Sequence, residues 1–96
     1  MLAPHPTDSG LLDRHLTLHP HVALRPEPFG ALAYHYGNRK LVFLKHPDVV
    51  RVVRALTDHP TLTDTLRACA IDESRWPSFE RALASLAESE MLWVSR

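Results

Sequence analysis

Between residues 21 and 45 apolar side chains alternate with polar or small ones, a pattern typical of β-strands rather than helices. We predict three strands, over residues 21–25, 30–36 and 40–44. Pro26 and Pro28 follow the first strand and keep that segment at a sheet edge or bend, because proline cannot donate a hydrogen bond to a strand ladder. The pattern therefore predicts a small antiparallel sheet.

A tight turn at Gly37-Asn38 joins the second and third strands as a hairpin. A two-residue loop there places Tyr34 opposite Leu41. One face of the hairpin then carries the large residues, and we predict it to be the core face: Leu32, Tyr34, Leu41 and Phe43. The other face carries smaller apolar residues, with two polar ones at its outer end: Ala31, Ala33, Val42, Leu44, His35 and Lys40.

The second half of the chain shows helical spacing. The first helix covers residues 47–57, with apolar residues at i, i+3, i+4 and i+7. A second helix starts near Thr61, with Asp64 in a weak capping-box position. A third starts at Pro77 and ends near residues 88–89, and residues 91–94 form an extended or docking tail. The predicted apolar stripes are Val49, Val52, Val53 and Leu56, then Leu62, Leu66 and Cys69, then Phe79, Ala82, Leu83 and Leu86.

Three strands followed by three helices predict an α+β fold of winged-helix-like type, a three-stranded antiparallel sheet followed by three helices. The chain has 96 residues, enough for one domain. We assign residues 20–96 to that domain. Residues 1–19 are rich in Pro, His, Thr and Asp and are predicted to form a flexible N-terminal arm, with at most one helical turn near residues 11–16.

The net charge of the chain is zero, but the basic side chains are concentrated in its middle segment. Residues 20–55 hold six basic side chains and two acidic ones, whereas residues 56–96 hold four basic and seven acidic ones. A positive segment favours an acidic partner. The basic residues of the middle segment are Arg25, Arg39, Lys40, Lys45, Arg51 and Arg54.

No motif for catalysis is present, since phosphate loops, nucleophile elbows and His-Glu-x-x-His pairs are all missing. Cys69 lies on an apolar line and is interpreted as a small buried hydrophobe. His15, His19 and His21 are spaced closely enough to suggest zinc, but Pro20 interrupts any helix there, so solvated histidines are the preferred interpretation. We expect no enzyme activity, no cofactor and no metal, and, without a membrane-length apolar run, no membrane association and a cytoplasmic location.

The winged-helix order makes a DNA-binding regulator the alternative function. The exposed face of the third helix is nearly neutral, with Arg81 and Glu88, so we expect no nucleic-acid binding. A structural subunit of a larger enzyme is a third possibility. The segment 40–45 is an edge strand if the strands pair in chain order. Its lysines then either protect the edge from aggregation or flank a site for another chain's strand.

Residues 22–45, VALRPEPFGALAYHYGNRKLVFLK, resemble the mycofactocin precursor-peptide chaperone family. The segment RPEPFG at 25–30 is its most specific part, and residues 83–92 show a weaker similarity. The resemblance covers roughly residues 18–92. It implies a PqqD-like peptide-recognition domain with no catalytic residues.

The resemblance also implies the partners. Such a domain binds the acidic leader of a short ribosomal precursor peptide and presents the peptide to a radical S-adenosylmethionine (SAM) maturase, which does the chemistry. In related domains the leader adds as a strand beside the third strand and packs on the third helix. Element order carries this site over to residues 40–45 and to the third helix, and the basic segment adds Arg39. The predicted peptide-binding residues are Arg39, Lys40, Leu41, Val42, Phe43, Leu44, Lys45, Phe79, Leu83 and Leu86.

Overall fold

The computed structural model describes residues 11–95, so the first ten residues of the predicted arm lie outside the described residues. The fold is α+β, as predicted, with a three-stranded antiparallel sheet and three helices, although winged-helix-like is only a loose description. Two short 3-10 turns, Leu56–Asp58 and Glu73–Arg75, precede the second and third helices. The elements in chain order are β1 His15–Leu18, β2 Val22–Glu27, β3 Gly30–His35, β4 Leu41–Leu44, α1 Pro47–Ala55, α2 Leu62–Ala68, α3 Trp76–Glu88 and β5 Leu92–Ser95.

The larger sheet has the strand order β2-β3-β4, with β3 in the centre. Tyr34 pairs with Leu41, which confirms the predicted register. The connecting loop is longer than two residues, because Arg39 takes the left-handed conformation (φ 64°) and donates its N–H to the His35 carbonyl at 2.8 Å. The register is unchanged, because the His35 N–H still donates to the Lys40 carbonyl across the loop.

Glycine is required where β3 begins. Gly30 has a φ of 148°, and a Cβ atom built there would collide with the carbonyl oxygen of Leu44. This contact lies at the end of the β3–β4 ladder, next to the pair formed by Ala31 and Leu44. A larger residue at position 30 would therefore push β4 away from β3.

The prediction of the core face is wrong. Ala31 and Ala33 are 0% and 1% exposed, whereas Leu41 and Phe43 are 55% and 60% exposed. The core lies on the small-residue face, where α1 packs against β3 and β4. Small side chains let the helix approach the sheet closely, and the volume is filled from the helix side, including Val52. Side-chain size along a strand therefore did not indicate which face is buried.

A second sheet, of two strands, was not predicted. β1 pairs antiparallel with β5, with Leu16 opposite Val94, and Leu16 and Leu92 are both buried. The sequence predicts that residues 15–18 belong to a flexible arm, whereas the structure forms strand β1 there. The partner strand lies at the other end of the chain, so local periodicity gave no sign of the pairing. The segment 91–94, predicted as extended, is confirmed as the region of β5.

The helices follow the predicted pattern. The first predicted helix corresponds to α1 and the 3-10 turn after it. Thr61 caps α2, because its Oγ1 accepts the Asp64 N–H at 3.2 Å. The third helix begins at Trp76, one residue before the predicted start, and ends at Glu88 as predicted. None of the helices in the described chain has the length and apolarity to cross a membrane. The buried helical residues include Val52, Val53, Leu56, Leu62, Leu66, Phe79, Leu83 and Leu86.

Candidate functional site

The outer edge of β4, which no other strand in residues 11–95 covers, is the first component of the candidate site. The His35 N–H donates to the Lys40 carbonyl at 3.0 Å, which makes these two residues a hydrogen-bonded pair. In an antiparallel ladder such pairs alternate with non-hydrogen-bonded ones. The Val42 N–H therefore points toward β3, opposite Ala33. The N–H groups that point away from the sheet along β4 are those of Leu41 and Phe43.

The second component is the solvent-facing surface of the same sheet, which we call the outer face. Its residues are Ala23, Arg25, Leu32, Tyr34, Leu41 and Phe43, as fixed by the strand register. Two aromatic pairs extend it at opposite ends. The Phe29 and Phe43 rings lie 5.8 Å apart edge to face, and the Tyr34 and Tyr36 rings 5.3 Å apart. The described chain thus concentrates most of its large exposed apolar side chains here, with Trp93 on β5 the exception.

The third component is a cleft of about 240 Å³ between the N-terminal turn of α1 and the first half of α3. It starts at His46, two residues beyond the end of β4. Phe79 forms its apolar floor and is itself almost fully buried. Its lining residues are His46, Val49, Arg75, Ser78, Phe79 and Ala82.

An ionic cluster fixes the rim of this cleft. Asp48 accepts hydrogen bonds from Arg51 at 2.8 Å and from Arg75 at 3.0 Å. These two hydrogen bonds hold the pKa of the Asp48 carboxyl below its ordinary value of 3.8. The Arg75 guanidinium also lies over the Phe79 ring, 5.1 Å from its centroid. Two guanidinium groups share one carboxylate, so the rim remains positive.

Further cations lie at both ends of β4. Arg39 and Lys40 precede the strand and Lys45 follows it, and all three are exposed. None forms an ion pair with another residue in the described range 11–95. Together with the rim of the cleft, they place positive charge at both ends of the edge of β4.

The predicted site residues fall into two groups. Those from Arg39 to Lys45 do lie together, on the free edge strand and its ends, although Leu44 points into the core. On α3, Phe79 lines the cleft, but Leu83 and Leu86 are only 0% and 5% exposed. The helix wall of the cleft is formed by Phe79 with Ser78 and Ala82, and a peptide contact for Leu83 and Leu86 stays a prediction.

Sequence reasoning missed Ser78 and Ala82 as site residues. They flank Phe79 at positions i−1 and i+3, on the border of the apolar stripe of α3. A stripe border is where a helix face passes from core to solvent, and that periodicity was visible in the sequence. His46 and Val49 carried no such signal, because their position depends on how α1 meets α3.

His35 was also missed, and it shapes the loop that carries Arg39 and Lys40. Its side chain is 4% exposed, and Nδ1 accepts the N–H groups of Gly37 at 2.9 Å and Asn38 at 3.1 Å. Two accepted hydrogen bonds place the ring proton on Nε2, which has no partner among the described residues. His35 therefore holds the hairpin loop from inside.

His19 packs on this histidine, with ring centroids 4.4 Å apart. Desolvation lowers the pKa of His19, the proximity of His35 and His21 lowers it further, and Glu90 acts in the opposite direction. Although these histidines lie close together, the described residues contain no group of three ligand-type side chains arranged to hold a metal ion.

Comparison with known proteins gives one consistent result. The family model described as "Peptide chaperone MftB family" matches residues 15–93. The chain is similar to "Peptide chaperone MftB" of Mycobacterium ulcerans, at 51% identity over 80 residues, which is 83% of this chain and 73% of the relative. The Mycobacterium tuberculosis protein of the same name is 48% identical over the same shares, and that of Mycolicibacterium smegmatis 49% identical over 78% and 74%. No solved structure matches.

Proposed function

Because the chain belongs to the peptide chaperone MftB family, a family of non-catalytic peptide chaperones, we propose that it binds the leader of a short ribosomal precursor peptide at the free edge of β4. It presents the bound peptide to a radical SAM maturase in mycofactocin biosynthesis, in the cytoplasm. The maturase does the chemistry, and this chain contributes binding and positioning.

The observation that supports this proposal most directly is the edge of β4. Leu41 and Phe43 offer outward N–H and C=O groups to a further strand, and cations flank them at both ends. An added strand gains affinity from main-chain hydrogen bonds, whatever its sequence. The cations favour an acidic peptide and speed its association. Binding at an edge also engages only the leader, so the rest of the precursor stays available to the maturase.

The cleft gives the added strand a place to anchor. A peptide that runs along β4 toward Lys45 next meets His46 and the opening between α1 and α3. The cleft is smaller than the roughly 300–1,000 Å³ typical of pockets for whole small ligands, so it suits a single side chain. An apolar side chain would contact Phe79, and an adjacent acidic one would pair with Arg75. This arrangement would fix the register of the leader on the edge.

Proline substitutions test strand addition, since proline removes one N–H and fixes one backbone dihedral. Phe43→Pro removes an N–H that points away from the sheet, so the protein should stay folded. It should bind the leader at least about tenfold more weakly, because one backbone hydrogen bond to the leader and the strand pairing around it are lost. Val42→Pro removes the N–H that pairs with Ala33 and should disrupt the hairpin itself. Circular dichroism and a leader titration measure the two effects.

Phe43→Ala is the matched control, because it removes the same ring and keeps the N–H. If the leader pairs with β4, Phe43→Pro binds the leader clearly more weakly than Phe43→Ala does. If the two folded variants bind the leader equally, strand addition at β4 is wrong. Titration with random duplex DNA at moderate salt provides the second comparison, and binding of DNA in preference to the acidic leader would support a DNA regulator instead.

A further inference from the structure

The outer face has no role in the strand pairing or in the cleft. Leu41 and Phe43 are more than half exposed, and Phe29 packs against Phe43 at the margin of the same face. Monomeric proteins rarely keep a continuous surface of this kind without a partner. Backbone pairing at the edge of β4 would not by itself cover it, because hydrogen bonds lie in the plane of the sheet.

The geometry of an added strand places its side chains on this face. Such a strand lies about 4.8 Å from β4, and its successive side chains point alternately to the two faces of the sheet. Every second side chain would therefore lie beside Leu41 and Phe43, within the range of cross-strand contact. The alternate set would point to the helix side of the sheet, toward Val42 and the cleft.

Charge decides between the possible occupants. If a second copy of the chain paired antiparallel through the outward N–H groups of Leu41 and Phe43, with Val42 opposite Val42, Arg39 of one copy would lie opposite Lys45 of the other. Like charges directly opposite each other destabilise a strand pair. A peptide with apolar residues in its strand segment and acidic residues beside it would form opposite-charge pairs at the same two positions. The edge therefore suits an acidic peptide and disfavours a second copy.

We propose that the outer face is a second half of the leader site, and that it selects leaders with large apolar side chains, aromatic ones above all, at alternate positions of the bound strand. This inference rests on the proposed function and specifies the peptide that the site accepts. Phe43 and Leu41 contact the outward-pointing leader side chains directly, and Phe29 supports the Phe43 ring from behind. Each aromatic pair strengthens binding roughly 2- to 10-fold beyond its area contribution.

The test is the double variant Leu41→Thr with Phe43→Thr, titrated with the synthetic precursor leader. Threonine keeps strand propensity and both outward N–H groups, so the fold and the backbone pairing remain. We expect binding to weaken roughly 10- to 100-fold, with thermal unfolding of the free protein little changed. Trp93→Thr is the matched control, because Trp93 is 53% exposed but lies on β5, in the other sheet, and its loss should leave leader binding unchanged.

A substitution scan of the leader then locates the contacts. In the wild-type protein, alanine at alternate leader positions should weaken binding in two interleaved sets. In the double threonine variant, one set should lose its effect while the other keeps it, because only one set contacts the outer face. Unchanged leader affinity in the double variant would overturn the inference, and so would a loss of maturase binding alone or a dimer that depends on these two residues. The proposed function has a separate test, and it is wrong if folded Phe43→Pro binds the leader as well as Phe43→Ala does.

Discussion

The two faces of the three-stranded sheet are made by the same strands, but their side chains differ in both size and burial. On the inner face, Ala31 and Ala33 are small and fully buried under α1. On the outer face, Leu41 and Phe43 are large and mostly in water. In a sheet that only had to fold, the larger side chains would be buried, since burial of apolar area stabilises the fold. The inner face therefore serves stability, and the outer face is the one that we propose for the leader.

The largest expected effect comes from making the same substitution on each face and comparing the loss of stability. Ala33→Leu places three extra carbon atoms where α1 packs on the sheet, and should cost about 1–3 kcal/mol of unfolding free energy through overpacking. Ala23→Leu makes the same change on the outer face of the neighbouring strand and should alter stability by no more than about 0.5 kcal/mol. Urea denaturation of both variants measures the difference. Equal losses would mean that the two faces are equally packed.

Much of the fold was predictable because it depends on short-range patterns. The helices follow i, i+3, i+4 spacing, the Thr61 cap is a local hydrogen bond, and the hairpin register follows from a turn between alternating segments. The buried face was not predictable from the strands, because both faces are apolar and the choice belongs to α1. β1 was missed for a similar reason, since its partner β5 lies about 75 residues away.

The candidate site divides in the same way. The edge strand, with Lys40 and Lys45 at its ends, could be identified from the sequence because strand order and charge are local properties. The cleft depends on how α1 meets α3, so its lining was predicted only at Phe79. The sequence placed His35 only at the outer end of the smaller apolar face, and the folded loop alone shows the two N–H groups that its side chain accepts.

Charge reversal tests the edge of β4, where the two faces of the sheet meet. Lys40→Glu with Lys45→Glu should slow association of the acidic leader roughly tenfold at low salt and flatten its salt dependence, because exposed charges act mainly on the encounter rate. Arg14→Glu with Arg54→Glu changes the net charge equally at exposed positions away from β4 and is the control. Stopped-flow association over a salt series measures both, and equal slowing would reduce the effect to net charge.

The smallest expected effect is the pH dependence of stability. His19 has a lowered pKa in the folded protein, so between that value and the ordinary 6.5 the unfolded chain binds more protons than the folded one. The stabilising effect is complete above pH 6.5 and is lost as the pH falls toward the folded value. His19→Gln should flatten this part of the stability profile, as measured by denaturation at successive pH values. If stability depends on pH in the same way in His19→Gln, then other groups cause that dependence.

Asp48 produces a second limb at lower pH. Its carboxyl also has a lowered pKa in the folded protein, so its contribution is present above pH 3.8 and lost as the pH falls through the folded value. Asp48→Asn should remove this limb and leave the His19 limb in place. The same denaturation series separates the two, because the His19 limb begins as the pH falls below 6.5 and the Asp48 limb only below 3.8.

Amide hydrogen exchange at single residues tests strand addition at β4 most directly. In the free protein the Val42 N–H should exchange slowly, because it pairs with Ala33, while the N–H groups of Leu41 and Phe43 should exchange quickly. Saturation with the leader should slow the exchange of Leu41 and Phe43 and leave Val42 nearly unchanged. If the leader binds and the Leu41 and Phe43 amides exchange as quickly as before, the peptide does not pair with β4 and the account is wrong.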